Sequence, residues 1–195
     1  MESIVVNGSA RPNLGKTGAK VIRNEGSVPC VLYSSEGVVH FSTTPLELRD
    51  LIYSPDFKVA NISVEGATHR CILKAVQFHP VTDAIVHVDF LKLLPGQKIK
   101  VEVPLRFVGA SPGVKAGGKL IQLVRRIKVK ATPEDMVDEV VADISGLELG
   151  QSIRVREIKS NEGIEIMNSP SIPVGMIEIP RALRSAAAAA EKSGK

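Results

Sequence analysis

The stretch whose reading decides the fold is Gln77–Phe90, QFHPVTDAIVHVDF. It reads as a strand, a turn and a second strand. His79-Pro80 and Thr82-Asp83 supply the turn chemistry. Ile85 to Phe90 then alternates, and in an extended chain successive side chains point to opposite faces. Val86, Val88 and Phe90 share one face, and His87 and Asp89 share the other. The apolar face looks inward, so the pair His87 and Asp89 is displayed outward.

Working outward from this hairpin, more short elements precede it. Ser3 to Ser9 predicts a strand, and Arg11 to Lys20 a loop rich in Gly and basic residues. Ala19 to Asn24 predicts a short helix stopped at Gly26. If that helix reaches back to Lys16, then Lys16, Lys20 and Arg23 stand at i, i+4 and i+7 and form one basic stripe. Val28–Tyr33 (VPCVLY) and Val38–Ser42 predict a strand pair across Ser35-Glu36-Gly37. Thr44-Pro45-Leu46-Glu47 has the form of a capping box with Pro at the first helical position, and Ser54-Pro55 ends that helix. Lys58–Glu65 and Thr68–Gln77 predict two strands turning at Gly66. About six strands and two helices in residues 1–91 imply a small β-barrel with attached helices.

Pro95-Gly96 marks a boundary, and residues 92–181 read as a second, mostly antiparallel β domain. Ile99–Phe107 and Ile121–Ala131 alternate at period two. Val137–Asp143, Ser152–Ile158, Ile164–Met167 and Val174–Ile179 predict further strands. The Gly-rich loop between the first two matches neither a P-loop nor a dinucleotide fingerprint. Residues 182–195 form an Ala-rich tail, expected to fray because an isolated helix this short is marginal.

The whole chain of 195 residues carries a net charge of only +4, unevenly spread. Residues 92–131 hold ten Lys and Arg against one acidic residue, and residues 132–181 hold four against ten. One reading is a basic surface for an anion, and the other is charges of both signs on solvated strand faces. The chain has no run of 18 apolar residues and no signal-peptide pattern, so neither a membrane span nor a secretory start is expected. Cys30 and Cys71 lie far apart in apolar runs, as reduced buried thiols of a cytoplasmic protein would.

An enzyme reading finds little support. On one strand, i and i+2 side chains run parallel, a poor start for aligning Asp89 on His87, and no strained nucleophile elbow occurs. The four His and two Cys are scattered, without CxxC or HExxH, so no metal site is expected. No cofactor or small-molecule substrate is implied. A nucleic-acid reading does better. Arg11, Lys16, Lys20 and Arg23 can neutralise phosphates or fork onto bases, and Tyr33 can stack or donate. Gly15 and Gly18 would let the backbone approach a phosphate. A nearly neutral first domain points to a shape-specific site rather than a general polyanion binder.

At these residues the chain resembles the CTC family of 5S-rRNA-binding ribosomal proteins, large-subunit protein twenty-five in the bacterial naming, in its long two-domain form. The resemblance spans roughly residues 4–180. It is carried by Arg11, Gly15-Lys16, Arg23 and VPCVLY (28–33). It continues through VQFHP (76–80), HVDF (87–90), PLRFVG (104–109), the PGV.AGG.L pattern (112–120) and ISGLELGQSI (144–153). It implies a structural constituent of the large subunit, cytoplasmic and ribosome-associated, whose first domain sits on loop E of 5S rRNA. A stress-induced RNA-binding or interaction protein loosely tied to ribosomes is the alternative. Carried over by motif, Arg11, Lys16, Lys20, Arg23, Tyr33, Gln77, His87 and Asp89 fall on the family's RNA-contact positions. Val21 and Asn24 interrupt a run where the family often has consecutive Arg, and Lys20 stands where Arg is common. For the second domain the resemblance leaves other rRNA or ribosomal proteins as partners.

Overall fold

The computed structural model describes residues 2–35, 37–159 and 163–181. Chain contacts divide it into two units. One takes the residues up to Ile99 together with Thr132–Glu134. The other takes Lys100–Ala131 and the residues from Asp135 on. The Ala-rich tail 182–195 lies outside the described residues.

The first unit is a closed six-stranded barrel. Its strands are β1 (Ser3–Ala10), β2 (Val28–Ser34), β3 (Gly37–Thr43), β4 (Val59–Val64), β5 (Ala67–Phe78) and β6 (Ile85–Lys92). The order around the barrel is β1-β3-β2-β6-β5-β4. Neighbouring hairpins are antiparallel, as the short turns require. Two long-range pairings are parallel: β1 with β4, which closes the barrel, and β2 with β6. The quoted hairpin folds as read. His79 donates its amide to the Ala84 carbonyl at 2.8 Å, and Asp83 takes the left-handed conformation at φ 53°.

Alternation sorts the faces. Val88 and Phe90 are fully buried, with Phe41 stacked at a tilt against Phe90, centroids 5.9 Å apart. Burying each such ring contributes about 1.5–3 kcal/mol. Phe41 needs the gap left by Gly8 on β1, where a Cβ would stand 2.5 Å from the Phe41 ring. Cys30 and Cys71 are buried in the same core as free thiols. Burial pushes both up to about 12, so neither ionises at neutral pH.

Two helices attach to the barrel: α1 (Lys16–Asn24) and α2 (Pro45–Ile52). Helix α1 begins three residues earlier than Ala19, which completes the basic stripe of Lys16, Lys20 and Arg23. It ends in a Schellman arrangement around Gly26 at φ 79°. There Ser27 donates to Ile22 and Gly26 to Arg23. Helix α2 starts on Pro45 as expected, but the capping box does not form, since the Thr44 side chain caps nothing. Glu47 turns instead to β1, accepting from the Asn7 amide at 2.5 Å and the Thr43 hydroxyl at 3.1 Å. A carboxylate that meets a strand amide and a hydroxyl has a better offer than its own helix N-terminus.

The second unit has a four-stranded sheet and a three-stranded sheet. The first has the order β10 (Val140–Asp143), β7 (Ile99–Val108), β9 (Arg126–Ala131), β12 (Glu165–Ile166). The second has the order β11 (Ser152–Arg154), β13 (Pro173–Glu178), β8 (Lys119–Gln122). Pairing is mostly antiparallel, with β10 parallel to β7. The predicted strand 121–131 is two strands, and the one predicted over 152–158 turns into a 3-10 turn at Val155–Glu157. The Gly-rich loop holds the short helix α3 (Pro112–Lys115), capped by the Ser111 hydroxyl. This loop and the ISGLELG loop form one joint. Gly113 donates to the Leu147 carbonyl at 3.0 Å and Ser111 to the same carbonyl at 2.5 Å. A Cβ on Gly113 would lie 2.7 Å from the Glu148 carbonyl carbon. These glycines serve packing.

Candidate RNA-binding surface

The parallel pairing of β2 with β6 builds the site. It sets Val31 beside Asp89 and Tyr33 beside Leu91, while β5 sets Gln77 opposite His87. Tyr33 and Asp89 thus meet on the outer face, where the Tyr33 hydroxyl donates to Asp89 Oδ1 at 3.4 Å. Tyr33 is 41% exposed, so the phenol reaches solvent while its hydroxyl is tethered. Modest burial and the Asp89 charge both push the Tyr33 hydroxyl above its usual range.

His87 Nδ1 lies 3.2 Å from Asp89 Oδ1, yet without a hydrogen bond's alignment, as i and i+2 geometry foretold. Both side chains are half-buried, at 21% and 19% exposure, rather than fully displayed. Burial lowers the His87 pKa. Asp89 opposes that, and Arg23, Arg11 and His40 add to it. The imidazole is therefore a neutral group ringed by cations, with one carboxylate.

Arg11 follows the end of β1, its amide donating to the His40 carbonyl at 3.1 Å. Its Nε is buried without a hydrogen-bond partner among the described residues. Arg23 reaches from α1 to donate Nε to the Val86 carbonyl at 3.0 Å, which pins the helix to the start of β6. Lys16 and Lys20 lie on the same helical face, exposed. None of these four cations makes an ion pair among the described residues.

The structure thus brings together Arg11, Arg23, Tyr33, His87 and Asp89, sets Gln77 on the neighbouring strand, and leaves Lys16 and Lys20 along the helix. One expectation is corrected. Gly18 does not open the backbone to a phosphate, because a Cβ there would lie 2.5 Å from the Asn13 carbonyl oxygen. Its bareness seats the 11–14 loop on α1. Gly15, at φ 97° with open space around it, keeps the freer role. Sequence reasoning passed over His40, which pairs with Val31 across the β2–β3 ladder and acts on His87. Its alternation in VVHFS was a signal, but only the register puts it on this face.

Comparison with known proteins agrees with this architecture. Residues 6–90 match the model of the Ribosomal L25p family, and residues 98–181 match Ribosomal protein TL5, C-terminal domain. The chain is 43% identical over 192 residues to the large ribosomal subunit protein bL25 of Cytophaga hutchinsonii, covering 98% of this chain and 100% of that one. It is 43% identical over 195 residues to that of Amoebophilus asiaticus, covering 100% and 99%. The chain belongs to the bL25 family. It is the long, two-domain form, since both family models match in tandem. As bL25 proteins are structural, this member is not an enzyme. The His87–Asp89 pair therefore belongs to a surface, not to a catalytic centre. Among the described residues no cluster of His, Cys, Asp and Glu could hold a metal. No helix among them is long and apolar enough to cross a membrane.

Proposed function

We propose that the chain is a structural component of the large ribosomal subunit, ribosome-associated in the cytoplasm, and that its barrel binds 5S rRNA at loop E. The observation that carries this reading is the array of unpaired cations on one barrel face. Arg11 and Arg23 act on His87 in the Tyr33–Asp89–His87 corner, Lys16 and Lys20 continue along α1, and the family is named for the large subunit. The chemistry suits a structured RNA helix. Phosphates meet the Lys and Arg groups, and the tethered Tyr33 hydroxyl, Gln77 and His87 offer hydrogen bonds to sugars and phosphates. Asp89 accepts from Tyr33 and holds the corner, or accepts from a base amino group. A widened, non-Watson–Crick groove would admit α1, which an ordinary A-form major groove would not. We take residues 1–91 as the RNA-binding domain, 92–181 as a second domain, and 182–195 as a tail.

The test is binding of the full chain to a loop E fragment of 5S rRNA and to an unrelated RNA stem, across salt concentrations. Specific binding with a log–log salt slope of roughly −3 to −4 is expected for four phosphate-directed cations. Equal affinity for the two RNAs would reject the loop E assignment. Failure of the chain to co-sediment with large subunits would reject the ribosomal role.

A further inference from the structure

A second feature of the barrel unit shares only Arg23 with the RNA-directed residues. Between α2, the start of β2 and the turn joining β5 to β6 lies a groove of about 790 Å³. Its walls are apolar, with Val28, Pro45, Leu46, Ala84 and Ile85 among them, and Tyr53 closes one end. Leu46 is 75% exposed and Tyr53 63%, and Tyr53 leans on the exposed ring of Phe78 with centroids 6.5 Å apart. A largely apolar cleft of this size with a few polar and charged groups has the form of a binding site. The charge of the lining is one-sided. Arg23 and Arg49 are present, and no carboxylate is. Arg49 is exposed and makes no ion pair among the described residues.

We propose that this groove docks an acidic, apolar segment of a protein partner, whose aliphatic side chains fill it and whose carboxylates meet Arg49 and Arg23. Charge complementarity selects the acidic partner, and the aliphatic walls select a peptide over RNA. Among the described residues Tyr53 and His79 are the two aromatic side chains of the lining, and the rest of the wall is mostly aliphatic, a poor track for successive stacked bases. Protein interfaces, by contrast, concentrate Tyr and Arg around an apolar centre. The inference shares Arg23 with the loop E reading but is tested at Arg49 and Leu46, which lie outside the RNA-directed residues.

The experiment uses the full chain, isotopically labelled. The probes are a 16-residue amphipathic peptide of Leu and Glu, its Leu and Lys counterpart, and a single-stranded oligoribonucleotide. The Glu peptide should shift the backbone amides of Leu46, Tyr53, Ala84 and Ile85 in a saturable way. Leu46→Asp and Arg49→Glu should each weaken it about tenfold or more. Both side chains are exposed. Leu46→Asp places an acid in the first turn of α2, which suits the helix dipole, while Arg49→Glu places one in the last turn and opposes it only weakly at a solvated site, so the fold survives. Affinity for loop E RNA should stay unchanged in both variants, which separates failure here from failure of the RNA reading. The proposal is overturned if the Glu peptide shifts none of these amides or if the Lys peptide binds equally well. It is also overturned if the oligoribonucleotide moves them more than the peptide does.

Discussion

The outer face of the barrel and the face of the four-stranded sheet both carry rows of cations, but the two rows are in different states. On the sheet, Arg106 meets Glu139 at 2.7 Å, Lys128 meets Glu102 at 3.8 Å, and Lys130 meets Glu165 at 3.8 Å. On the barrel and its helix α1, Arg11, Lys16, Lys20 and Arg23 meet no carboxylate in an ion pair among the described residues, and the Arg11 Nε has no hydrogen-bond partner among them. A cation already paired on a wet surface has little left to give an anionic ligand. An unpaired one beside half-buried hydrogen-bonding groups does. Block charge in the sequence pointed the other way, to the ten cations of residues 92–131, three of which, Arg106, Lys128 and Lys130, meet glutamates on the sheet. Strand pairing redistributes charge, because a sheet sets residues from distant segments side by side.

The comparison breaks most visibly through charge removal. Arg11→Ala with Arg23→Ala should lower loop E affinity by ~1–3 kcal/mol for each arginine that reads a base, and should flatten the salt slope. The matched set Arg106→Ala, Lys128→Ala and Lys130→Ala should leave that affinity nearly unchanged. Equal losses in a filter-binding titration would abolish the distinction between the faces.

A geometric change probes the same face without touching its charge. Gly18→Ala forces a Cβ against the Asn13 carbonyl oxygen at 2.5 Å, so the 11–14 loop must shift. Overpacking of this kind costs ~1–3 kcal/mol. Thermal melting should fall, and RNA affinity should fall with it if the placement of α1 and Arg11 matters. A stability loss with full affinity would show that the helix can move freely.

Asp89→Ala removes a negative charge from an anion-binding face, so simple electrostatics predicts tighter binding. The structure predicts weaker binding, by ~1 kcal/mol, because the Tyr33 hydroxyl loses its acceptor. Tyr33→Phe should reproduce part of the loss. Tighter binding of Asp89→Ala would make Asp89 a repulsive bystander.

The smallest effects concern titration and the exposed pairs. Burial lowers the His87 pKa, so an NMR titration should place its midpoint below the ordinary histidine value of ~6.5. The folded state favours the neutral ring. The stability from this group is therefore complete above the unfolded pKa and is lost as pH falls through the depressed midpoint. Asp89→Asn should depress that midpoint further, since Asp89 is the influence that raises it. A midpoint at or above the ordinary value would show that the carboxylate outweighs burial. On the sheet, Lys128→Ala should change unfolding free energy by no more than ~1 kcal/mol, as exposed pairs do.

Local reading went far in the barrel. Val88 and Phe90 inward against His87 and Asp89 outward follows from period-two alternation alone, and the β5–β6 turn follows from His79-Pro80 and Thr82-Asp83. Pro45 and Ser54-Pro55 bounded α2. In the second unit, the break between β8 and β9 and the turn after Arg154 were not read, although Val124-Arg125-Arg126 and Glu157-Ile158 interrupt the period-two alternation there. The Glu47 contacts to Asn7 and Thr43 were hidden. A capping box is a local offer, and β1 outbid it from 40 residues away.

The sequence by itself determined which residues are strand, which side chains turn inward, and which basic and aromatic residues were available for an RNA. Those are properties of a single extended or helical segment, set by backbone geometry and the burial of apolar side chains. Only the tertiary structure decided that β2 runs parallel beside β6, so that Tyr33 tethers to Asp89. It likewise decided that Arg23 reaches Val86, that His40 joins the cluster, and that Arg106, Lys128 and Lys130 find glutamates. Pairing between strands more than 50 residues apart is settled by closing the barrel over Phe41 and Phe90, and no local pattern encodes the partner.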